Sequence, residues 1–448
     1  MSSRAGSHAG SRAGSHACDV LVVGGGVIGL TAAWRALEAG ASVVVLDPSP
    51  GDGATQAAAG MLAPVMEVGF GEEGQARLGT ASLALWPAFA DALERAAGLP
   101  AGAVGLETAG TLALAYDGDD LVALRRMLAL HRELGLGSVE LTPAEARRRE
   151  PGVGPRVAGA AWVPGDHHAD PRAVHAALAV TTARATHVRR AAVSLTWADG
   201  AVIGALDDAG TAYFAGTVVL AAGHASGALF AGAPTRPVPG TTLRLDAAAD
   251  RSPAVVVRGA VQGRPVYAVP RRVRPDGRRE LVVGATSDER DDDHLTRAGD
   301  VFALLRDARA LLPELDDAVL LEVVTRSRPG SPDNAPLLGW AADGLYLATG
   351  HYRNGILLTP LTAAAVDEAL GGASAGALGG PAGGPGDRAA VEAAARYADP
   401  GRFARVAGAV RDSATPTTEP APTIEPAPMT GPAPTIEPAP TTQRGGTA

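Results

Sequence analysis

Four residues near the N-terminus have the types and the spacing of a dinucleotide-binding site. Gly24, Gly26 and Gly29 form a GxGxxG pattern directly after the apolar run "DVLVV". In such a turn the first glycine permits the tight bend, the second lets the backbone approach a pyrophosphate, and the third lets helix and strand pack closely. Asp47 ends the next apolar run, about 20 residues on, where an acid accepts ribose hydroxyls. This pattern predicts dinucleotide binding and disfavours NADP, because Asp47 would repel a 2′-phosphate.

The elements that must position these residues are present in residues 18–47, which read as strand, glycine turn, helix and strand. Residues 54–64, "ATQAAAGMLAP", are small and include a hydroxyl. Such a run suits backbone that approaches a flat ring system, but it equally suits a helix with a small-residue packing face. The chain has no second GxGxxG between a strand and a helix. If the one site holds a flavin, the electrons must come from the substrate itself and not from NAD(P)H.

Patterns of a second kind fill the middle of the chain. Residues 110–141 read as a short strand, "TLALAY", before a helix, and short alternating strands follow over residues 188–223. The runs "TTLRLD", "PVYAVP" and "ELVVGAT", between residues 236 and 284, alternate as an antiparallel sheet with one wet face does. We therefore predict an α/β protein, with a Rossmann-like domain and a second antiparallel-sheet (α+β) domain built from interleaved segments.

Composition excludes several functional classes. The formal charge of −9 provides no basic field for nucleic acid. Cys18 is the only cysteine, which excludes an intrachain disulfide and suits a reducing compartment. No apolar run approaches the ~20 residues of a membrane span, and the polar N-terminal repeat lacks the apolar core of a signal peptide. We expect a cytoplasmic protein with no nucleic-acid or membrane partner, and the sequence is compatible with a homo-oligomer.

No metal site is predicted. His167 and His168 are adjacent and would point apart, and the acidic run at residues 291–294 has no other ligands to complete a metal site.

Six stretches together carry a family resemblance. They are "VVGGGVIGLTAAWRALEAGASVVVLD", "TQAAAGMLAP", "VYAVPRR", "LVVGATSDE", "RPGSPDNAPLLG" and "LYLATGHYRNGILLTP". In this order they resemble the FAD-dependent D-amino acid oxidase superfamily, and most of all its glycine oxidases of thiamine (thiazole) biosynthesis. The resemblance covers nearly all of residues 19–370.

The resemblance implies a set of residues that hold FAD. These are Gly24, Gly26, Val27, Ile28, Gly29, Asp47, Pro48, Thr55, Ala59, Gly60, Met61, Val188, His351, Tyr352, Arg353, Asn354, Gly355, Ile356 and Leu357. The turn over residues 351–357 would wrap the isoalloxazine, and the helix after it would direct its positive end toward the flavin. Cys18 lies far from the region where related enzymes attach their flavin covalently, so FAD is expected to be non-covalent.

The same resemblance implies the substrate site. The arginine of the "RPG" motif and the tyrosine of the "YxVPR" motif, Arg328 and Tyr267, would bind the carboxylate of an amino acid, and Arg353 would lie beside it. A guanidinium pairs with a carboxylate in two-point geometry. A surface salt bridge remains the alternative for Arg328, and a core tyrosine for Tyr267. Ser287 stands where several glycine oxidases have methionine. The smaller and more polar serine is expected to widen the pocket.

The activity implied is FAD-dependent oxidative deamination of glycine, sarcosine or small D-amino acids by oxygen. The products would be an imine or oxo acid, ammonia and hydrogen peroxide, with the glycine imine used for thiamine thiazole biosynthesis. The alternatives are a D-amino acid or sarcosine oxidase, a quinone-linked dehydrogenase and a non-enzymatic flavin-binding module.

The predicted organisation follows from these motifs and from the low-complexity ends of the chain, which cannot bury a core. It comprises a disordered tail (1–17), an FAD-binding domain (18–100, 142–235 and 329–370), a substrate domain (101–141 and 236–328), a Gly-rich linker (371–387), a short helical segment (388–412) and a disordered Pro-rich tail (413–448).

Overall fold

The structure is a computed structural model that describes residues 15–289, 294–371 and 396–403. Its strands are β1 (Ser15–Val23), β2 (Val43–Leu46), β3 (Met61–Leu62), β4 (Thr111–Ala115), β5 (Val139–Leu141), β6 (Gly159–Val163), β7 (His167–His168), β8 (Thr186–Val188), β9 (Ala192–Ala198), β10 (Ala201–Asp207), β11 (Ala212–Leu220), β12 (Arg236–Ala248), β13 (Val256–Val261), β14 (Arg264–Pro270), β15 (Arg278–Gly284), β16 (Val319–Gly330), β17 (Leu337–Ala342) and β18 (Leu345–Thr349). Its helices are α1 (Val27–Glu38), α2 (Ala54–Ala57), α3 (Glu73–Ala96), α4 (Gly118–Glu133), α5 (Pro143–Arg149), α6 (Pro171–Thr181), α7 (Ser226–Leu229), α8 (Ala298–Leu311) and α9 (Thr359–Ala369).

The first sheet contains the glycine turn. Its order is β17-β18-β11-β1-β2-β8, and β10 and β9 continue it from the start of β11. β8, β2, β1, β11 and β18 run parallel, so their carboxyl ends meet at one edge. β2 is apolar and buried along its whole length, as expected for a parallel strand covered on both faces. A buried ion pair of 2.7 Å between Arg35 and Asp367 joins α1 to α9.

The second sheet forms the wall opposite this edge. Its order is β16-β12-β15-β14-β13-β4-β6-β5, and every pair is antiparallel except β13 with β4. Helix α8 packs on one face through Leu304, Ala308 and Leu311, which belong to the same core cluster as Leu243 and Val283. The opposite face of strands β12 to β16 is thereby left to line a cavity.

The fold-class prediction is confirmed, since a mixed sheet with a glycine turn and a mainly antiparallel sheet share the chain in interleaved segments. Two details differ from the predicted boundaries. Strand β1 begins at Ser15, inside the expected N-terminal tail, because its first residues pair with the start of β11. Strand β6, assigned by sequence to the FAD-binding segments, pairs with β4 and β5 in the second sheet.

Part of the segment that follows the linker is described. The amide of Leu338 donates to the carbonyl of Ala398 at 2.9 Å, and Arg402 pairs with Asp333 at 2.8 Å. Residues 396–403 therefore dock at the β17 edge of the first sheet. The linker, the Pro-rich tail and the first 14 residues lie outside the described residues.

None of the helices in the described residues has the length and apolar character needed to cross a membrane.

Candidate active site

A cavity of about 980 Å³ is lined by residues of both sheets. Gly24, Asp47, Ala221 and Thr349 line one side, directly at or after the carboxyl ends of parallel strands. Tyr267 lines the other side with further residues of strands β12 to β16. A crevice at the carboxyl ends of parallel strands is where open α/β sheets bind nucleotides.

Two of the predicted glycines are required by close backbone packing. Gly24 has φ +114°, and a side chain on it would collide with the main-chain carbonyl of Ala221. A side chain on Gly29 would collide with the carbonyl of Gly24. Gly29 accordingly supports the turn from behind and does not line the cavity.

The third glycine faces the cavity at the start of α1. A Cβ on Gly26 would lie 3.3 Å from the hydroxyl of Thr55, which in turn accepts a hydrogen bond of 3.1 Å from the amide of Val27. Helix N-termini bind anions through free amides and the helix dipole. The arrangement fits the pyrophosphate of a dinucleotide, with Thr55 beside it.

Asp47 is fixed by main-chain donors. Its carboxylate accepts hydrogen bonds of 2.6 Å from the amide of Gly25 and 2.7 Å from the amide of Ser49. Both Asp47 and Pro48 line the cavity, so the carboxylate is held where a ribose hydroxyl can reach it.

The small-residue run that follows α2 lies against the cavity through its backbone. Gly60 has φ +86°, and a side chain there would collide with the carbonyl of Ala169. The carbonyl of Ala59 accepts a hydrogen bond of 2.9 Å from Arg271, whose side chain is 9% exposed. Ala59, Gly60 and Met61 all line the cavity, which fits backbone presented to a flat ring.

Arg328 and Tyr267 lie on the face of the second sheet that lines the cavity. The guanidinium of Arg328 occupies the space over Gly240, where a side chain would collide with it. The hydroxyl of Tyr267 likewise occupies the space over Gly284, its direct cross-strand neighbour. Arg328 donates to the carbonyl of Thr286 at 3.2 Å, which leaves other guanidinium donors for a ligand.

The charge states of this pair suit anion binding. Burial raises the pKa of Tyr267 to about 12, with a smaller opposing effect from the positive charge of Arg328. The phenol is therefore a neutral hydrogen-bond donor throughout the physiological range. A neutral phenol beside a guanidinium can donate to a carboxylate without adding a negative charge of its own.

The turn after β18 forms the third part of the wall. This turn lines the cavity with His351, Tyr352, Arg353, Asn354, Gly355 and Ile356. Their contact with a flavin stays a prediction. His351 is buried, and its Nε2 lies 3.0 Å from the hydroxyl of Thr362. Burial lowers the pKa of His351 to about 4, so the ring is neutral at physiological pH. Helix α9 begins at Thr359, two residues beyond the predicted flavin-binding stretch.

Two other predicted residues lie off the cavity wall. The carbonyl of Val188 accepts a hydrogen bond of 3.0 Å from the amide of Asp47. The carbonyl of Leu357 accepts bonds from Ser82 at 2.7 Å and from Trp86 at 3.0 Å. Both residues therefore stabilise neighbouring segments of the cavity wall through main-chain hydrogen bonds. Their direct contact with a cofactor stays a prediction.

Sequence reasoning missed a charged pair on the wall. The guanidinium of Arg258 donates to Glu67 at 2.7 Å, and the second oxygen of Glu67 lies 4.0 Å from Arg353, whose side chain is 55% exposed. Both Glu67 and Arg258 line the cavity. They are 191 positions apart and belong to no motif, so nothing in the sequence connects them.

Other lining residues, such as 191–193 and 221–225, follow strands β8 and β11 and belong to no motif. Within the described part of the chain no group of three or more His, Cys, Asp or Glu could hold a metal ion. The acidic residues 291–293 lie outside that part.

Known proteins resemble this chain over most of its length. The profile of the DAO family, described as FAD dependent oxidoreductase, matches residues 19–369. Glycine oxidase from Geobacillus kaustophilus is 32% identical over 364 residues, covering 78% of this chain and 92% of that protein. The crystal structure of glycine oxidase from the same organism superposes with a TM-score of 0.70 at 30% identity, covering 80% of this chain and 95% of that one.

A second group of relatives is longer. The bifunctional protein ThiO/ThiG of Trichormus variabilis is 33% identical over 354 residues, covering 78% of this chain and 52% of that protein. The chain thus spans about half the length of these bifunctional relatives.

Proposed function

The chain belongs to the DAO family of FAD dependent oxidoreductases, and we propose that it binds FAD non-covalently and oxidises glycine with oxygen. The products are the imine, which hydrolyses to glyoxylate and ammonia, and hydrogen peroxide. The observation that carries this proposal is the placement of Arg328 and Tyr267 over two glycines, on the wall of a cavity whose opposite side fits a dinucleotide.

The residues that would hold FAD are those that fit its parts. The α1 N-terminus with Gly26 and Thr55 suits the pyrophosphate, and Asp47 suits the ribose. The small-residue run around Ala59 and the turn after β18 suit the flat ring system. When bound, FAD supplies a two-electron acceptor for the hydrogen and electrons lost from the α-carbon.

The protein's own residues bind and orient the amino acid. Arg328 pairs with the carboxylate through its guanidinium fork, and Tyr267 donates its hydroxyl to the same group. Anchoring the carboxylate at two points fixes the α-carbon, and such positioning of the reacting atom lowers the barrier. Arg353 lines the same cavity from the turn after β18, which supports a place for it beside the substrate.

Sarcosine and small D-amino acids remain candidate substrates. Ser287 lines the cavity and is small and polar, so it leaves space near the carboxylate site for a methyl group. Use of the glycine imine in thiamine thiazole biosynthesis is part of the proposal and is supported by the likeness to the ThiO/ThiG proteins. A cytoplasmic location is supported by the single cysteine. The homo-oligomer stays a prediction that sedimentation can test.

The deciding experiment is a titration of the purified protein without oxygen. A yellow protein whose visible flavin bands bleach on addition of glycine, and return on admission of air with formation of peroxide, would support the oxidase. Bleaching without return in air would indicate a dehydrogenase that uses another acceptor. A yellow protein that glycine, sarcosine and D-alanine all leave unbleached would contradict an amino-acid enzyme.

A further inference from the structure

The cavity wall carries one carboxylate beside the proposed carboxylate anchor. Arg258 is the direct cross-strand neighbour of Tyr267, so the two side chains lie on the same face of the sheet. Glu67 accepts a 2.7 Å hydrogen bond from Arg258, and its negative charge further raises the pKa of Tyr267. Glu67 is therefore a neighbour of the site to which Arg328 and Tyr267 would bring the substrate.

The other acidic residues on the described wall are already occupied. Asp47 accepts hydrogen bonds from two main-chain amides, and Asp52 pairs with Arg326 at 2.6 Å. Glu67 differs because, among the described residues, only one of its oxygens accepts a hydrogen bond, while the other lies 4.0 Å from a guanidinium nitrogen of Arg353. Since Glu67 lines the cavity, this second oxygen is an acceptor at the cavity wall.

An α-amino acid presents an amine one carbon away from its carboxylate. If Arg328 and Tyr267 hold the carboxylate, the amine needs an acceptor close by on the same wall, since a buried amine without a partner is costly. We propose that Glu67 binds the substrate amine and that Arg258 is a positioning residue that holds Glu67 toward it. This inference rests on the proposed amino-acid oxidase function.

The variant Glu67→Gln tests the assignment, because it removes the charge and keeps the shape. We expect KM for glycine to rise at least about tenfold, while acetate, which has a carboxylate and no amine, binds no more weakly than to the wild type. Acetate binding is measured by the change it causes in the visible spectrum of the oxidised protein, independently of turnover. Arg328→Ala should weaken both ligands and so serves as the comparison.

A matched control lies outside the cavity. Glu322 also bridges two arginines, at 2.9 Å to Arg172 and 3.6 Å to Arg244, but does not line the cavity. Glu322→Gln should leave both KM for glycine and acetate affinity within about twofold of the wild type. A similar effect of Glu322→Gln and Glu67→Gln would show that loss of an ion pair, and not of an amine contact, is responsible.

The role of Arg258 is separated by a pair of substitutions. Arg258→Met should raise KM for glycine by a larger factor than it weakens acetate, because both ligands lose a nearby positive charge and only glycine loses the positioned acceptor. Arg258→Lys should restore part of the loss, since a point charge still attracts Glu67. An unchanged KM in Glu67→Gln, or equal weakening of glycine and acetate, would overturn the inference and leave the oxidase intact. A wild-type flavin that glycine does not bleach would remove the proposed function and this inference together.

Discussion

Arg328 and Gly240 occupy neighbouring strands so that the guanidinium of the arginine fills the space a side chain on the glycine would take. The obstacle to a larger residue is thus the far end of a flexible side chain and not the backbone. A substitution at Gly240 should therefore move the guanidinium without disturbing the sheet. Such a variant tests the position of the guanidinium, whereas a substitution of Arg328 tests its removal.

Removing the guanidinium gives the first prediction. Loss of one partner from a desolvated charged pair costs about 2–5 kcal/mol, which is roughly 30- to several-thousand-fold. Arg328→Ala should lower kcat/KM for glycine by at least about 30-fold, with the flavin spectrum retained. Arg328→Lys should recover only part, because it lacks the two-point fork. Near-normal steady-state turnover by the alanine variant would move the anchor to Arg353 or Arg326.

The second prediction displaces the same group. A methyl at Gly240 should push the guanidinium away from its position, and misplacement of a binding group by about 1 Å can cost up to ~100-fold. Gly240→Ala should therefore lower kcat/KM for glycine by roughly 10- to 100-fold with FAD content unchanged. The control is Gly216→Ala, in a strand of the first sheet where a methyl makes an ordinary 3.4 Å contact. Equal kinetics for the two variants would speak against the placement of Arg328 over Gly240.

The third prediction concerns the cofactor. A valine at Gly26 would project into the cavity at the α1 N-terminus, where the pyrophosphate is expected. Gly26→Val should purify with little or no FAD, measured as the ratio of flavin to protein absorbance. Gly118→Val, at a helix start with open space around it, should retain FAD. A fully yellow Gly26→Val protein would contradict a dinucleotide at this turn.

The sequence could predict those features of the site whose residues lie close together along the chain. The glycine turn and Asp47, for example, are linked by one helix and one strand. Arg328 and Tyr267 are indicated only by motifs of the family resemblance, and both line the cavity. The Arg258–Glu67 pair could not be foreseen, because it depends on which strand lies beside Tyr267. The need for glycine at positions 240 and 284 could not be predicted either, because it depends on the strand register that places these residues under Arg328 and Tyr267.

The pairing of one strand differs from the predicted domain boundaries for a related reason. Strand β6 pairs with β4 and β5 in the second sheet, although its neighbours along the chain lead back to the first. Local patterning gives the presence of such a strand but not its partner, since pairing partners are selected by packing across the whole domain.

The last prediction concerns a buried carboxyl behind the Arg258–Glu67 pair. Asp166 is fully buried, accepts one hydrogen bond of 3.3 Å from the amide of Val65, and has a second oxygen without a partner among the described residues. Burial raises its pKa from 3.8 to about 7, against the opposing charge of Arg258. A raised folded-state pKa means that the stabilising contribution of the protonated form is complete below about pH 4 and is lost as the pH rises through about 7.

Asp166→Asn removes this titration while keeping an acceptor for the amide of Val65. Because the wild type loses stability over this range and the variant does not, the free energy of unfolding of the variant should increase relative to that of the wild type, by roughly 2–3 kcal/mol between pH 5 and 8 at ~1.4 kcal/mol per pKa unit. Urea unfolding of the FAD-loaded proteins at both pH values measures the difference. If that difference is the same at pH 5 and 8, Asp166 does not titrate in this window. The wild type would then carry its buried negative charge at both pH values, stabilised by Arg258.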